Sequence, residues 1–192
     1  MEKENISTRL EKSRVGVAGA GGLGSNAAMA LVRAGVGNIV IADYDYVEKS
    51  NLNRQYFFAD QIGMPKVEAF KTNALRVNPD CNITTHHLKV TAGNIVELFS
   101  GCDLIIEAFD RADQKIMLIE TLLEQLPDIP LIAGSGLGGW GKSDEIRCKQ
   151  LGSVVLCGDF ETEADASNPP LAPRVGIVAN MQANEALRVL LD

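Results

Sequence analysis

Arg14-Val-Gly-Val-Ala-Gly-Ala-Gly-Gly-Leu-Gly-Ser25 runs from a short β-branched segment through a glycine-rich turn into small apolar residues. Gly19, Gly21 and Gly24 follow the spacing G-x-G-x-x-G between a strand and a helix, the context in which that spacing signals a phosphate-binding turn. Lacking side chains there, the backbone turns tightly and lets a phosphate reach the amides at the helix N-terminus. The helix is expected over Ser25–Ala34, stopped by Gly35 and Gly37. Asn38–Asp43 (NIVIAD) then reads as a strand buried on both faces, because its apolar residues run together without alternation. Strand, helix and strand at this length form a β-α-β unit, which implies a parallel sheet.

Outward from this unit the same alternation continues. Tyr44–Phe58 is a polar and aromatic connection longer than a turn needs, and such loops often carry function. Pro65 is placed as the first residue of a helix running to about Val77, ended by Asn78-Pro79. Asn82–His87 is a third strand, Gly93–Phe99 a short helix and Asp103–Ala108 a fourth strand. Asp110–Leu126 is a helix with Asp110 as its N-cap, and Pro130–Ala133 is a fifth strand entering the glycine-rich stretch Gly134–Gly141. Beyond it, Glu145–Lys149 and Ser153–Cys157 read as paired strands, Gly158–Arg174 as a loop and Val175–Leu191 as a closing helix. The expectation is one nucleotide-binding α/β domain over residues 1–192. Its core, residues 10–141, is a doubly wound, mostly parallel, Rossmann-like sheet. Residues 142–192 form a small hairpin, loop and helix extension, with residues 158–174 as its long loop.

Composition narrows the function. With 46% hydrophobic and 22% charged residues the chain is ordinary for a globular protein. A net charge of -7 and a pI near 4.9 give no basic face for nucleic acid. No apolar run approaches a membrane span, and Met1–Arg14 lacks the apolar centre of a signal peptide, so a cytoplasmic protein is expected. The four cysteines form no C-x-x-C pair, so structural zinc is not expected and free thiols are.

Several residues carry chemistry. Asp43 ends the second strand, where an acid binds a ribose hydroxyl. With the glycines alone, that favours a nicotinamide dehydrogenase. The stretch Asp43-Tyr-Asp45-Tyr-Val-Glu-Lys-Ser-Asn51-Leu-Asn53-Arg54-Gln55 points elsewhere. It is followed by Lys66 in the first turn of a helix, where a cation is unfavourable unless an anion is also present. Arg54, Lys66 and that helix end suit a triphosphate; the alternatives are an exposed loop arginine and an exposed helix lysine. Asp110 falls at the carboxyl end of the fourth strand, where a doubly wound sheet opens its crevice beside the first strand. An acid facing phosphates calls for a cation, so Asp110 reads as a Mg²⁺ ligand, as a helix cap, or as both.

RVGVAGAGGLGS, DYDYVEKSNLNRQ, MPK and EAFDRADQK together resemble the ThiF/MoeB/HesA family, bacterial relatives of ubiquitin-activating enzymes. The likeness runs from about Leu10 to Ala133 and resumes weakly at Gln182-Ala-Asn-Glu-Ala186. The short chain and Ala172-Pro-Arg-Val175 look most like the short ThiF-like proteins of thiamin biosynthesis. The resemblance implies an adenylyltransferase that binds ATP and Mg²⁺ and activates the C-terminal Gly-Gly carboxylate of a ThiS-like, ubiquitin-fold sulfur carrier. It also implies a homodimer. By motif it assigns Gly19, Gly21, Gly22, Gly24, Asp43 and Asp45 to the nucleotide, with Asn51, Arg54 and Lys66 on the phosphates. Asp110 takes the metal, and Arg54, Lys66 and Asp110 carry the catalysis. The chain departs from the family in lacking the zinc cysteines and a cysteine in the crossover loop, where it reads Ala-Ser-Asn-Pro-Pro-Leu-Ala-Pro. Cys157 is the nearest candidate for covalent chemistry. Arg9 matches the family's trans-acting arginine poorly, and no role is carried onto it.

Other conspicuous residues have plain readings. His86 and His87 point to opposite faces of a strand and share no metal easily. Asp159, Glu161, Glu163 and Asp165 are expected to solvate their loop. Trp140 either packs or lines a groove for a carrier tail. An oxidoreductase and a non-catalytic carrier-docking module are the alternative classes. Within the family, a molybdopterin-type carrier, a peptide and a modified tRNA base stay open as substrates.

Overall fold

The computed structural model describes residues 5–192; residues 1–4, which begin the polar stretch read above as no signal peptide, lie outside the described residues. Among the described residues one seven-stranded sheet runs through the chain. Its strands are β1 (Arg14–Ala18), β2 (Asn38–Ala42), β3 (Asn82–His86), β4 (Leu104–Glu107), β5 (Leu131–Gly134), β6 (Arg147–Leu151) and β7 (Val154–Gly158). They lie in the order β3-β2-β1-β4-β5-β7-β6, with every pairing parallel except the β6–β7 hairpin. This is the doubly wound, Rossmann-like fold expected. The hairpin continues the sheet: β7 runs parallel to β5 from Leu131↔Val154 to Gly134↔Cys157.

Helices α1 (Ile6–Lys12), α2 (Gly22–Ala34), α3 (Lys66–Val77), α4 (Ile95–Phe99), α5 (Ala112–Gln125) and α6 (Ala172–Leu191) cover the two faces. The period of a strand sorts the core between them. Val15, Val17, Ile39, Ile41, Leu104 and Ile106 pack with α2, α3 and α6. Val40, Ala42 and Ile105 pack with α4 and α5. Both faces are covered, which is why the strands read as continuous apolar runs.

Every helix placed from the sequence starts elsewhere: α3 at Lys66, with Pro65 as its cap, and α4 at Ile95 shift by one and two residues, and three others bear on the crevice. Helix α2 begins at Gly22 rather than Ser25, so the glycine turn is already the helix N-terminus. Helix α6 begins at Ala172, three residues early, because Pro173 fits a first turn whose N–H groups lack partners anyway. Helix α5 begins at Ala112, and its cap position is Arg111, with no side-chain cap bond. Asp110 is therefore not the cap. Asp113, in the first turn, is paired with Arg111 at 2.8 Å on the surface.

Two glycines fix the turn. A Cβ on Gly24 would stand 1.8 Å from the carbonyl oxygen of Gly19. Gly19 itself has φ +101°, and a Cβ there would meet the Ala108 carbonyl oxygen at 2.9 Å. The turn is thus closed on itself and pressed against the end of β4. Helix α6 ties the same region from behind: the buried Gln182 donates from Nε2 to Glu107 O at 3.0 Å and to Ile132 O at 3.3 Å.

Candidate active site

The winding reverses between β1 and β4, and a cavity of about 590 Å³ opens at their carboxyl ends, a size suited to a small-molecule ligand. Gly19, Gly21, Gly22, Asp43, Asp45, Arg54, Lys66 and Asp110 all line it. Residues more than ninety positions apart in sequence are brought to one crevice by the parallel pairing of β1 with β2 and β4.

Asp43 follows β2 and closes the glycine turn. Its Oδ2 accepts from Ala20 N at 2.6 Å, and its Oδ1 accepts from Asp45 N at 2.8 Å. Burial pushes its carboxyl above the ordinary range; the two amides and the Lys66 charge only partly oppose that. The chain then returns through Val47 and Met64, so that Lys66 N donates to Asp45 O at 2.9 Å. Lys66 is buried, which removes the reading of an exposed helix lysine, and its Nζ stands 2.7 Å from Asp45 Oδ2. The anion anticipated beside a cation at a helix N-terminus is present within the chain as Asp45.

Arg54 reaches the cavity from the connection after β2, donating from Nη1 to Asn53 Oδ1 at 2.8 Å. Its neighbour Gln55 is buried, also lines the cavity, and has an Oε1 without a partner among the described residues. Gln55 sits in the motif quoted above without having been singled out. Two expected nucleotide residues stay off the cavity wall. Asn51 turns its Oδ1 to accept from Glu48 N at 3.0 Å within a short 3₁₀ turn. Gly24, which has no room for a Cβ beside the Gly19 carbonyl, lies behind the residues that line the cavity.

Asp110 is exposed on the opposite wall and lines the cavity. Among the described residues no group of three His, Cys, Asp or Glu side chains closes on a metal ion. A single carboxylate nevertheless fits Mg²⁺, which keeps several waters and completes its shell with phosphate oxygens. Just below, Glu107 is fully buried at the end of β4. Its Oε1 accepts from Phe109 N at 2.7 Å, and its Oε2 is paired with the Lys115 ammonium. Burial pushes this carboxyl up, against the pull of Lys115. Lys115 also donates to Gly134 O at 2.8 Å and lines the cavity. Sequence reading missed the pair because an acid inside an apolar strand and a lysine one turn into a helix give no motif on their own.

The long loop forms the third wall, with Thr162, Glu163 and Ala164 lining the cavity. Asp159 was expected to be solvated. It is instead buried and ion-paired with buried Arg174. Burial alone would raise its carboxyl; the Thr162 hydroxyl and the N–H groups of Thr162 and Glu161, with Arg174, overcome this and bring it to about 2. Asp165 likewise gathers the N–H groups of Ser167 and Asn168. Trp140 is 70% exposed, which removes the packing reading; its ring lines a second, shallower hollow with Lys142 and Asn168. Cys157 is fully buried, and burial, then the neighbouring Cys148, pushes its thiol up, so at neutral pH it is a slow nucleophile. His86 and His87 lie off the cavity, and His87 Nε2 is 2.9 Å from Tyr44 O. A hydride-transfer reading is left without its acid–base group.

A nucleotide-binding α/β protein is the class this fold and crevice define. The description "ThiF family" matches residues 2–192, and the chain belongs to that family. It is 39% identical over 147 residues to the tRNA threonylcarbamoyladenosine dehydratase of Bacillus subtilis, covering 76% of this chain and 56% of the relative. It is 36% identical over 136 residues to the sulfur carrier protein ThiS adenylyltransferase of the same organism, covering 69% and 40%. The chain thus spans about half the length of these curated relatives. The crystal structure of the E. coli tRNA N6-threonylcarbamoyladenosine dehydratase TcdA with AMP superposes with a TM-score of 0.89 over 98% of this chain and 90% of that one. At 24% identity that likeness speaks for the fold. No helix among the described residues is long and apolar enough to cross a membrane.

Proposed function

We propose that this protein is an ATP-dependent adenylyltransferase that activates the C-terminal Gly-Gly carboxylate of a ThiS-like, ubiquitin-fold sulfur carrier in thiamin biosynthesis, as a homodimer in the cytoplasm. The observation that carries the reading is the convergence of Arg54, Lys66 and Asp110 on a glycine turn beside Asp43. Two cations and the helix amides suit phosphates, and a lone carboxylate opposite them suits Mg²⁺. Family membership and the ThiS adenylyltransferase relative support the carrier. The tRNA dehydratase relative makes a modified tRNA base the second reading, which a net charge of -7 disfavours.

In this reading Asp43 accepts from the ribose hydroxyls, while Gly21 and Gly22 bring backbone to the phosphates. Lys66 leaves Asp45 for the phosphates, and Arg54 flanks them. Asp110 would hold Mg²⁺, which when bound supplies charge neutralisation on the phosphates. The carrier carboxylate oxygen forms a bond to the α-phosphorus as the bond to the bridging oxygen of pyrophosphate breaks, giving acyl-adenylate and pyrophosphate. A carboxylate is already ionised at neutral pH, so no general base is needed. Alignment and electrostatic stabilisation provide the catalysis. ATP–pyrophosphate exchange with ThiS-like and molybdopterin-type carriers and with modified tRNA is the test. Exchange only with a ThiS-like carrier supports the reading; exchange with none, alongside stabilisation by NAD and not by ATP, overturns it.

A further inference from the structure

The cations assigned to phosphates, Arg54 and Lys66, both approach from the β2 side of the crevice. Lys115 stands on the other side, between the ends of β4 and β5. An ammonium has three donors, and two of those on Lys115 are committed, to Glu107 and to Gly134 O. The side chain is 25% exposed toward the cavity, and the third donor has no partner among the described residues. Glu107 beneath it is wholly buried, an arrangement weak as a source of stability and therefore better explained by what it positions.

We infer that Lys115 is a substrate-contacting residue, its third N–H donating to the acyl oxygen of the group being adenylated. Glu107 is the positioning residue. It accepts from the ammonium through Oε2 and from the N–H of Phe109, the residue before Asp110, through Oε1, so Lys115 and the carboxylate opposite the phosphates share one support. This rests on the adenylation reading.

A defined probe is 5′-O-(N-glycylglycyl)sulfamoyladenosine, a non-hydrolysable stand-in for the acyl-adenylate, compared with ATP·Mg²⁺ by calorimetry. For Lys115→Met we expect about tenfold weaker binding of the acyl analogue and ATP affinity within about twofold, the size of one lost charge-assisted bond. Lys115→Arg should recover part of the loss. Because Lys115→Met leaves a buried carboxylate unpaired, the double variant Glu107→Gln/Lys115→Met serves as the folded comparison and should show the same selective loss. Equal loss of both ligands, or no loss, overturns the inference. Failure of the unmodified protein to bind ATP would instead overturn the adenylation reading.

A separate observation lies on the hairpin. Cys148 and Cys157 are register partners on β6 and β7, with their sulfurs 3.1 Å apart; Cys148 is exposed and Cys157 buried. We propose that the pair is an oxidative modification site closed by a low-molecular-weight disulfide such as glutathione disulfide. The Cys148 thiolate attacks the disulfide and expels one glutathione thiolate. Cys157, deprotonated, then attacks Cys148 Sγ and expels the second. Two protein thiols are oxidised, and one disulfide is reduced to two thiols. The closed bond would tie edge strand β6, whose Arg147 lies 5.2 Å over the Phe160 ring, to the strand leading into the cavity loop. Mass spectrometry of the digested, glutathione-disulfide-treated protein should show a Cys148–Cys157 peptide, absent after dithiothreitol and in Cys148→Ser. Burial pushes both thiols up, so closure should run faster at alkaline pH. A stable glutathione adduct on Cys148 with Cys157 unmodified, or no modification, overturns the proposal.

Discussion

The Lys66 ammonium and the Asp45 carboxylate are held 2.7 Å apart, with the lysine buried and the aspartate half open to solvent. Asp45 thus occupies the cation that the proposed reaction assigns to phosphate. Asp45→Asn should lower the melting temperature of the free protein, at a cost of about 1 kcal/mol because one partner is solvated. It should also enlarge the stabilisation by ATP, since the nucleotide no longer displaces a competing anion. Calorimetric melting with and without ATP checks both signs.

Asp110→Ala separates metal binding from capping. As an exposed residue without a cap bond, it should leave stability within about 0.5 kcal/mol of the parent. Mg²⁺-dependent pyrophosphate exchange should fall steeply in the same protein. Retained exchange at ordinary Mg²⁺ would remove Asp110 from the site.

Gly24→Ala tests the turn itself. The added Cβ meets backbone at 1.8 Å, so the turn or helix α2 has to move. A cost of about 3 kcal/mol, the upper range for overpacking, is expected in urea unfolding. Gly35→Ala, at φ +98° with open space around it, should cost about 1 kcal/mol by strain alone.

Asp159 predicts an acid limb in stability. Its carboxyl is held at about 2, below an ordinary 3.8, which corresponds to roughly 2 kcal/mol. A depressed carboxyl stabilises the fold above its unfolded value, and that contribution is lost as pH falls from about 4 through about 2. Asp159→Asn should show lower stability at pH 7 and a flatter decline over that acid window, measured by denaturant midpoints.

Much of this was legible in the chain. The β1–turn–α2–β2 unit and the Asp43, Arg54, Lys66 and Asp110 set follow from strand-loop-helix context and from charges placed where a helix dipole disfavours them. What escaped reading were residues whose roles are made by distant partners. Asp159 looks like one of four loop acids until Arg174 meets it from the next helix. Glu107 looks like the end of an apolar strand until Lys115 turns back onto it. Asn51, by contrast, sits inside the most specific motif and still spends its side chain on a local turn. Motif membership says that a residue matters, while only the register of neighbouring elements says to what.

Gln182 has a consequence for how the protein can be divided. From the last helix it clamps carbonyls of β4 and β5, the two strands whose ends frame one side of the nucleotide crevice. The strand carrying the glycine turn and the helix carrying this clamp lie at opposite ends of the chain. A fragment keeping the whole glycine motif but lacking α6 therefore would not be a portable nucleotide binder: its crevice would have lost its keystone.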